Sequence, residues 1–187
     1  DVDIQKYFDT IDHRRLREFL SKRVRDGVIR KLIDKWLKAG IFEAGKLSNP
    51  SQGTPQGGVI SPLLANIYLH YVLDEWFEKT VCPRMRGRCS LTRFADDFVM
   101  VFEDYHDCFR VQKVLGKRFE KYNLTLHPDK TQRVDFRFRY RKENLRKGKA
   151  VNFDFLGFTH YWGKSRRGKF IVRQKTAKDR LRKALKA

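Results

Sequence analysis

"RFADDFVMVFE", residues 93 to 103, sets two carboxylates, Asp96 and Asp97, between short apolar runs. Those runs read as the strands of a hairpin with the acidic pair at its tip. Tight hairpin turns favour Asn-Gly or Asp-Gly, because positive φ is needed there, and an Asp-Asp pair adds repulsion to an already poor turn. Two unit charges about 4 Å apart repel by roughly 4 kcal/mol at an effective dielectric of ~20. Something must offset that repulsion. Either both aspartates are solvent-facing turn residues paired with nearby Arg93, or they share a cation; "ADD" alone supports the two readings equally.

On either side of the hairpin, strands and helices alternate irregularly. "DVDIQKYF" alternates as a strand does, and Asp12 follows as N-cap of an amphipathic helix with Leu16, Phe19, Leu20 and Val24 on one face. Val28, Ile29, Leu32, Ile33, Trp36 and Leu37 keep helical spacing up to Gly40, which stands where a C-terminal cap belongs. Residues 41 to 47 read as a short strand, and "SNPSQGTPQGG" as a loop. "SPLLANIYLHYVLDEWF" opens with Ser61 as N-cap and Pro62 at the first helical position, and is apolar enough to be buried. After the hairpin comes a helix over roughly 105 to 121 carrying Phe109, Val114, Leu115 and Phe119, then strand-like "LTLH" and "TQRVDF". "VNFDFLGFTHYW" and "KFIVRQ" read as two strands around the basic turn "GKSRRG", with Thr176 capping a last basic helix. The expected class is therefore α+β, an antiparallel sheet with helices packed on one face, plus a basic C-terminal hairpin and helix. A doubly wound dinucleotide fold is disfavoured.

The chain has 187 residues, 41% of them hydrophobic, enough for one domain with a real core. Its 42 Lys and Arg against 22 Asp and Glu give a net charge of +20, which points to a polyanionic partner, with nucleic acid ahead of a membrane surface. The charge is uneven: residues 133 to 187 carry 19 Lys and Arg against 4 Asp and Glu, leaving only +5 for the rest. No apolar run reaches the ~18 residues of a membrane-spanning helix, and no signal-peptide pattern opens the chain. The three cysteines, Cys82, Cys89 and Cys108, are odd in number and lack paired spacing, so neither a disulfide framework nor a zinc site is indicated.

Asp3, on the first strand among apolar neighbours, would be costly to bury alone. With Asp96 and Asp97 it would make a hard-oxygen site suited to magnesium, which takes a few carboxylates together with waters and phosphates. Glycines 53, 57 and 58 around Pro55 let backbone approach an anionic or flat group closely, just ahead of a helix N-terminus. An ordinary Gly and Pro loop would look the same.

"DVDIQKYFDTIDH", "QGTPQGGVISPLLANIYLH", "RFADDFVMVF", "LTLHPDKT" and "FDFLGF", in that order, resemble the successive motifs of reverse transcriptases, most closely the bacterial group II intron type. The resemblance implies a polymerase palm over residues 1–160 and the start of a basic thumb or maturase region over 161–187, with the usual N-terminal fingers region missing. It implies RNA-templated DNA synthesis from dNTPs onto the 3′-hydroxyl of a DNA or RNA primer, by an RNA-directed DNA polymerase whose isolated fragment is expected to bind duplex without necessarily polymerising. Asp3, Asp96 and Asp97 match the catalytic carboxylates. With the Ile4 carbonyl they would ligate two Mg2+ ions about 3.5 to 4 Å apart, Mn2+ being a substitute. Lys130 matches a lysine that protonates pyrophosphate. Phe8 matches the ring under the deoxyribose, and Pro55, Gln56 and Gly57 the loop against nucleotide and template. Phe155, Leu156 and Gly157 match the hairpin that grips the primer end. Arg139, Arg141, Lys142, Arg166, Arg167 and Arg173 would track the nucleic-acid backbone.

Aromatics among those cations, Phe136, Phe138, Tyr140, Tyr161 and Trp162, either stack on bases or form strand core. Gln5, Lys6 and Phe94 depart from the residues most often seen in the family, Lys6 standing where Gly is usual. The alternative function is an RNA-binding splicing cofactor of a group II intron, which needs the basic surface but not the carboxylates. A palm-fold nucleotide cyclase is disfavoured because it needs no basic tail. The expected setting is the bacterial cytoplasm, associated with nucleic acid and with no membrane.

Overall fold

In a computed structural model of the chain, residues 2–38, 53, 59–128, 131–136 and 151–186 are described, together with the backbone of 41–43 and 46–48. Three short helices come early: α1 (Tyr7–Thr10), α2 (His13–Ser21) and α3 (Gly27–Lys38). Strand β1 (Ile4–Gln5) precedes them, and the hairpin of β2 (Ile41–Glu43) and β3 (Lys46–Ser48) follows. Next come α4 (Ser61–Leu69), the central hairpin β4 (Cys89–Phe94) and β5 (Asp97–Phe102), α5 (Tyr105–Glu120) and β6 (Thr125–Leu126). The chain closes with β7 (Asn152–Phe155), β8 (Phe158–Lys164), β9 (Phe170–Thr176) and α6 (Lys178–Lys186).

Among the described residues all pairings are antiparallel, in small sheets and not one continuous sheet: β1 with β6, β2 with β3, β4 with β5, and β7-β8-β9. A single bridge draws two of these together. Val2 exchanges backbone hydrogen bonds with Phe98 at 3.1 and 3.5 Å, so β6, β1, β5 and β4 lie side by side in that order. One face of this assembly is core. Val2, Ile4 and Phe98 join Leu16, Phe19 and Leu20 of α2, Leu64, Tyr68 and Leu69 of α4, and Leu115 and Phe119 of α5 in one buried cluster. Burying each such side chain stabilises the fold by about 1.5–3 kcal/mol before chain entropy is counted.

Local chemistry explains most boundaries. Asp12 caps α2 by accepting from the Arg15 amide at 3.0 Å, as its position predicts. The first strand is shorter than the alternation suggests, because Lys6 takes φ 43 and turns the chain into α1. Ser61 lies inside α4, with Ile60 in the cap position and Pro62 second. Past Leu69 the helix widens into i→i+5 turns over His70–Asp74 and Phe77–Val81, then tightens over Cys82–Arg84. Arg118 of α5 donates to the carbonyls of Val72 and Tyr71 in that widened stretch.

Several expected faces differ. On α3 only Ile33 and Leu37 are buried, while Val28, Ile29, Leu32 and Trp36 are exposed among the described residues. Positions 28, 32 and 36 form a second line about 100° round the helix from 33 and 37, and only one line packs. On α5, Val111 is buried where Phe109 and Val114 are exposed. Residues 131–136 join no strand, because the Thr131 amide turns back to the His127 carbonyl. "VNFDFLGFTHYW" is two strands: Leu156 at φ 51 and Gly157 at φ 80 form the two-residue turn that needs positive φ twice. Thr176 ends β9 instead of capping α6, and Ala177 accepts the first helical bond. Gly40 lies outside the described residues.

Candidate functional site

The bridge at Val2 decides where Asp3 goes. Val2 faces the core with its cross-strand partner Phe98, and Ile4 does so with Leu126, so Asp3 between them belongs to the opposite face. Continuing the register sets Asp3 opposite Asp97 on one side and His127 on the other, where the His127 amide donates to the Asp3 carbonyl at 2.9 Å. Asp97 opens β5 and pairs with Phe94, and Asp96 shares the two-residue tip with Ala95. Asp3 and Asp96 are half-buried and Asp97 is exposed.

The fold thus carries two of the three predicted carboxylates onto one side of neighbouring strands, with the third at the adjoining tip. Among the described residues no group of three His, Cys, Asp or Glu side chains closes round a point as a metal cage does. An open face with oxygen donors alone still fits a hard cation that keeps waters and substrate phosphates in its shell. The arrangement suits magnesium better than a thiophilic metal.

The Arg93 guanidinium engages groups other than the acidic pair. Its guanidinium donates to both Asp74 oxygens, at 2.8 and 2.6 Å, to the Asn66 side-chain oxygen at 2.8 Å and to the Ala95 carbonyl at 2.8 Å. Arg93 thereby ties the tip to the long helix.

Phe8 lies on α1, half-buried against the core, with its ring centroid 5.6 Å from that of Tyr7. The Tyr7 hydroxyl donates to the Ala65 carbonyl, and burial raises its pKa well above the ordinary phenol value, with Arg93 opposing. Gly53, the first glycine of the loop, is clasped here. Its amide donates to the Ile11 carbonyl at 2.8 Å, and the ring of buried His13 bonds its carbonyl. A Cβ on Gly53, at φ +85, would stand 2.9 Å from the Phe8 carbonyl and from Asp9 backbone atoms, so only glycine fits. The loop therefore starts beside Phe8. Pro55, Gln56 and Gly57 lie outside the described residues, as do Lys130, Arg139, Arg141 and Lys142.

Phe155 is half-buried at the end of β7, and Leu156 and Phe158 are exposed round the Gly157 turn. Gly157 accepts from the Ala177 amide at 3.0 Å, and a Cβ on it would meet the Arg180 guanidinium at 2.5 Å. The hairpin is thereby fixed to the start of α6. Arg166 and Arg167 are exposed at the β8–β9 turn and Arg173 is exposed on β9. Phe136 and Trp162 stack on one another, and the Trp162 ring donates to the Phe136 carbonyl at 2.9 Å, which makes them packing residues here. Lys175 stands over the Tyr161 ring at 5.2 Å, and Phe138 and Tyr140 lie outside the described residues.

His13 and Asp74 carry no motif that marks them in the sequence. His13 had a signal in Gly53, whose close approach requires a partner surface, and Asp74 had one as the lone carboxylate in "IYLHYVLD".

Among the described residues no helix is long and apolar enough to cross a membrane. The sequence model of the family described as "Reverse transcriptase (RNA-dependent DNA polymerase)" matches residues 1–160. The chain is 36% identical over 124 residues to Protein YkfC of Escherichia coli, covering 53% of this chain and 32% of that protein. It is 48% identical over 68 residues to the group II intron-encoded protein LtrA of Lactococcus lactis, covering 36% of this chain and 11% of the relative. The chain thus spans a third or less of these relatives' length. Its fold is similar to that of the telomerase of Candida albicans, solved in complex with a fragment of telomeric RNA, at TM-score 0.66 and 16% identity over 86% of this chain and 29% of that one. From a family model that spans most of the sequence, and from relatives encoded in group II introns, the chain belongs to the reverse transcriptase family.

Proposed function

We propose that this chain is the palm of an RNA-templated DNA polymerase and the beginning of its thumb. The observation that carries the reading is the Val2–Phe98 bridge, which sets Asp3 opposite Asp97 on the face away from the core and next to the tip that holds Asp96. Asp3, Asp96, Asp97 and the Ile4 carbonyl would hold two magnesium ions, or manganese in their place. Bound there, the metal supplies Lewis acidity that eases deprotonation of the primer 3′-hydroxyl and neutralises charge on the leaving pyrophosphate. The primer oxygen bonds to the α-phosphorus of the dNTP as the bond to pyrophosphate breaks.

Phe8, held by the core and flanked by the Gly53 clasp, would bound the sugar and refuse a 2′-hydroxyl. Pro55, Gln56 and Gly57 would lie against the nascent pair, and Lys130 would return a proton to pyrophosphate. Phe155, Leu156 and Gly157 would steady the primer end from a hairpin that α6 braces. Arg139, Arg141, Lys142, Arg166, Arg167 and Arg173 would follow the duplex backbone by charge.

The test is extension of a primer on an RNA template by the complete protein that carries this chain, comparing wild type with Asp96→Asn. We expect the variant to lose at least about 3 kcal/mol of transition-state stabilisation, roughly a hundredfold in rate. Unchanged extension would remove the assignment.

A second reading, RNA binding that assists splicing of a group II intron, is favoured by the net charge of +20 and by the intron-encoded relative. It uses the cations and not the carboxylates. Splicing assistance that survives Asp96→Asn and falls steeply with salt would identify it as a separate activity.

A further inference from the structure

The tip that carries Asp96 is poorly made by its own sequence. Ala95, at φ 54, occupies a left-handed conformation that glycine adopts freely and alanine does not. Nothing in "FADD" itself favours that turn, and the repulsion between adjacent aspartates opposes it.

Arg93 supplies what the turn lacks. Its side chain is only 12% exposed, and one guanidinium reaches three anchors at once: the Ala95 carbonyl inside the turn, Asn66 on α4 and both oxygens of Asp74. Asn66 in turn donates to the Pro62 carbonyl at 3.0 Å, so its oxygen is already oriented toward Arg93. Asn66 and Asp74 are eight residues apart, which on an α-helix separates their directions by about 80°. The i→i+5 turn over His70–Asp74 lies between the two anchors, so the helix is wider there than an α-helix would be. One arginine bonds both across that widened stretch.

We propose that Arg93, held by Asp74 and Asn66, is a positioning residue that fixes the strained Ala95–Asp96 turn and so orients the Asp96 carboxylate for cation binding. The inference rests on the reading of Asp96 as a metal ligand. Lysine at 93 keeps the charge beside Asp74 but lacks the planar fork that spans three acceptors.

The experiment is Mn2+ binding followed by electron paramagnetic resonance on the complete protein, with single-nucleotide incorporation and thermal midpoint measured on the same samples. Arg93→Lys should remain folded, weaken Mn2+ binding about tenfold and lower kcat with the KM for primer duplex unchanged, the size expected when a residue behind a metal ligand is altered. Adding Ala95→Gly should restore most of the Mn2+ affinity, because glycine makes the turn without help; a purely structural loss at Asp74 would not respond to that change. Arg93→Lys that binds Mn2+ as wild type does, or a loss that Ala95→Gly leaves untouched, overturns the proposal. If Arg93→Lys fails to fold, Asn66→Ala, which removes one anchor, carries the same expectations in smaller measure. Asp96→Asn that binds Mn2+ normally would instead overturn the metal reading itself.

Discussion

Lys6 takes φ 43, a left-handed conformation that glycine adopts more readily, and the chain turns there from the strand that follows Asp3 into the helix bearing Phe8. A lysine in that region costs roughly 1 kcal/mol that glycine avoids, less what glycine loses in unfolded-state entropy. Lys6→Gly should therefore raise the stability to urea unfolding by about 0.5 kcal/mol, and a drop would show that the side chain makes up for its backbone. Two residues on, Phe8 is set by the core on one side and by Gly53 on the other. Phe8→Val should shrink discrimination against ribonucleotides by at least about tenfold in competing kcat/KM measurements, because a site that excludes a hydroxyl by a close ring loses that contact; an unaltered ratio would leave Phe8 as packing alone. At this scale Asp3, Asp96 and Asp97 stand out in the sequence, since charges among apolar residues demand a reason. The bonds of Arg93 do not, because its partners are 19 and 27 residues away.

The helices show where periodicity suffices. The spacing of Leu16, Phe19 and Leu20 places α2 correctly, and Asp12 marks its start, because both signals are local. On α3 two apolar lines invite burial and the described partners cover one, which no single-helix pattern reveals. The "LG" turn hides a hairpin inside what reads as one strand, since positive φ at Leu156 is imposed by pairing on both sides.

The junction between β4 and α5 has a similar hidden part in Asp107, which is 1% exposed and accepts from the amides of Arg86 and Gly87 at 2.6 and 3.1 Å. Asp107→Ala should cost about 3 kcal/mol, because two amides lose a charged acceptor in a buried place. Chemical denaturation checks it, and a loss under about 1 kcal/mol would mean that water takes over the two amides.

Across the whole molecule, neutral acids buried in the fold make stability fall on the alkaline side. Burial, then the thiol of Cys82 at 3.1 Å, pushes Cys89 up to about 11, and burial raises Tyr7 and Tyr68 above the ordinary phenol range. An unfolded thiol releases its proton at lower pH than the folded one, so between roughly pH 9 and 11 the native state holds more protons and stability declines as pH rises. The tyrosines extend that decline upward from about pH 10. Unfolding midpoints measured from pH 7 to 11 should fall through this window and be flat below it; Cys89→Ser should soften the onset.

The antiparallel class and the ordered motifs were legible because each lies within a short stretch of chain. The joining of two small sheets by the Val2–Phe98 bridge was not, since it links positions nearly a hundred residues apart. That bridge brings Asp3 beside the strand that opens at the hairpin tip. Single-turnover incorporation of one deoxynucleotide on an RNA template, by wild type, Asp3→Asn, Asp96→Asn and the double variant, examines it most directly. Each single change should lower the rate by at least about a hundredfold and the double change should add little, as for groups that act as a unit. A single variant that keeps the wild-type rate would contradict it.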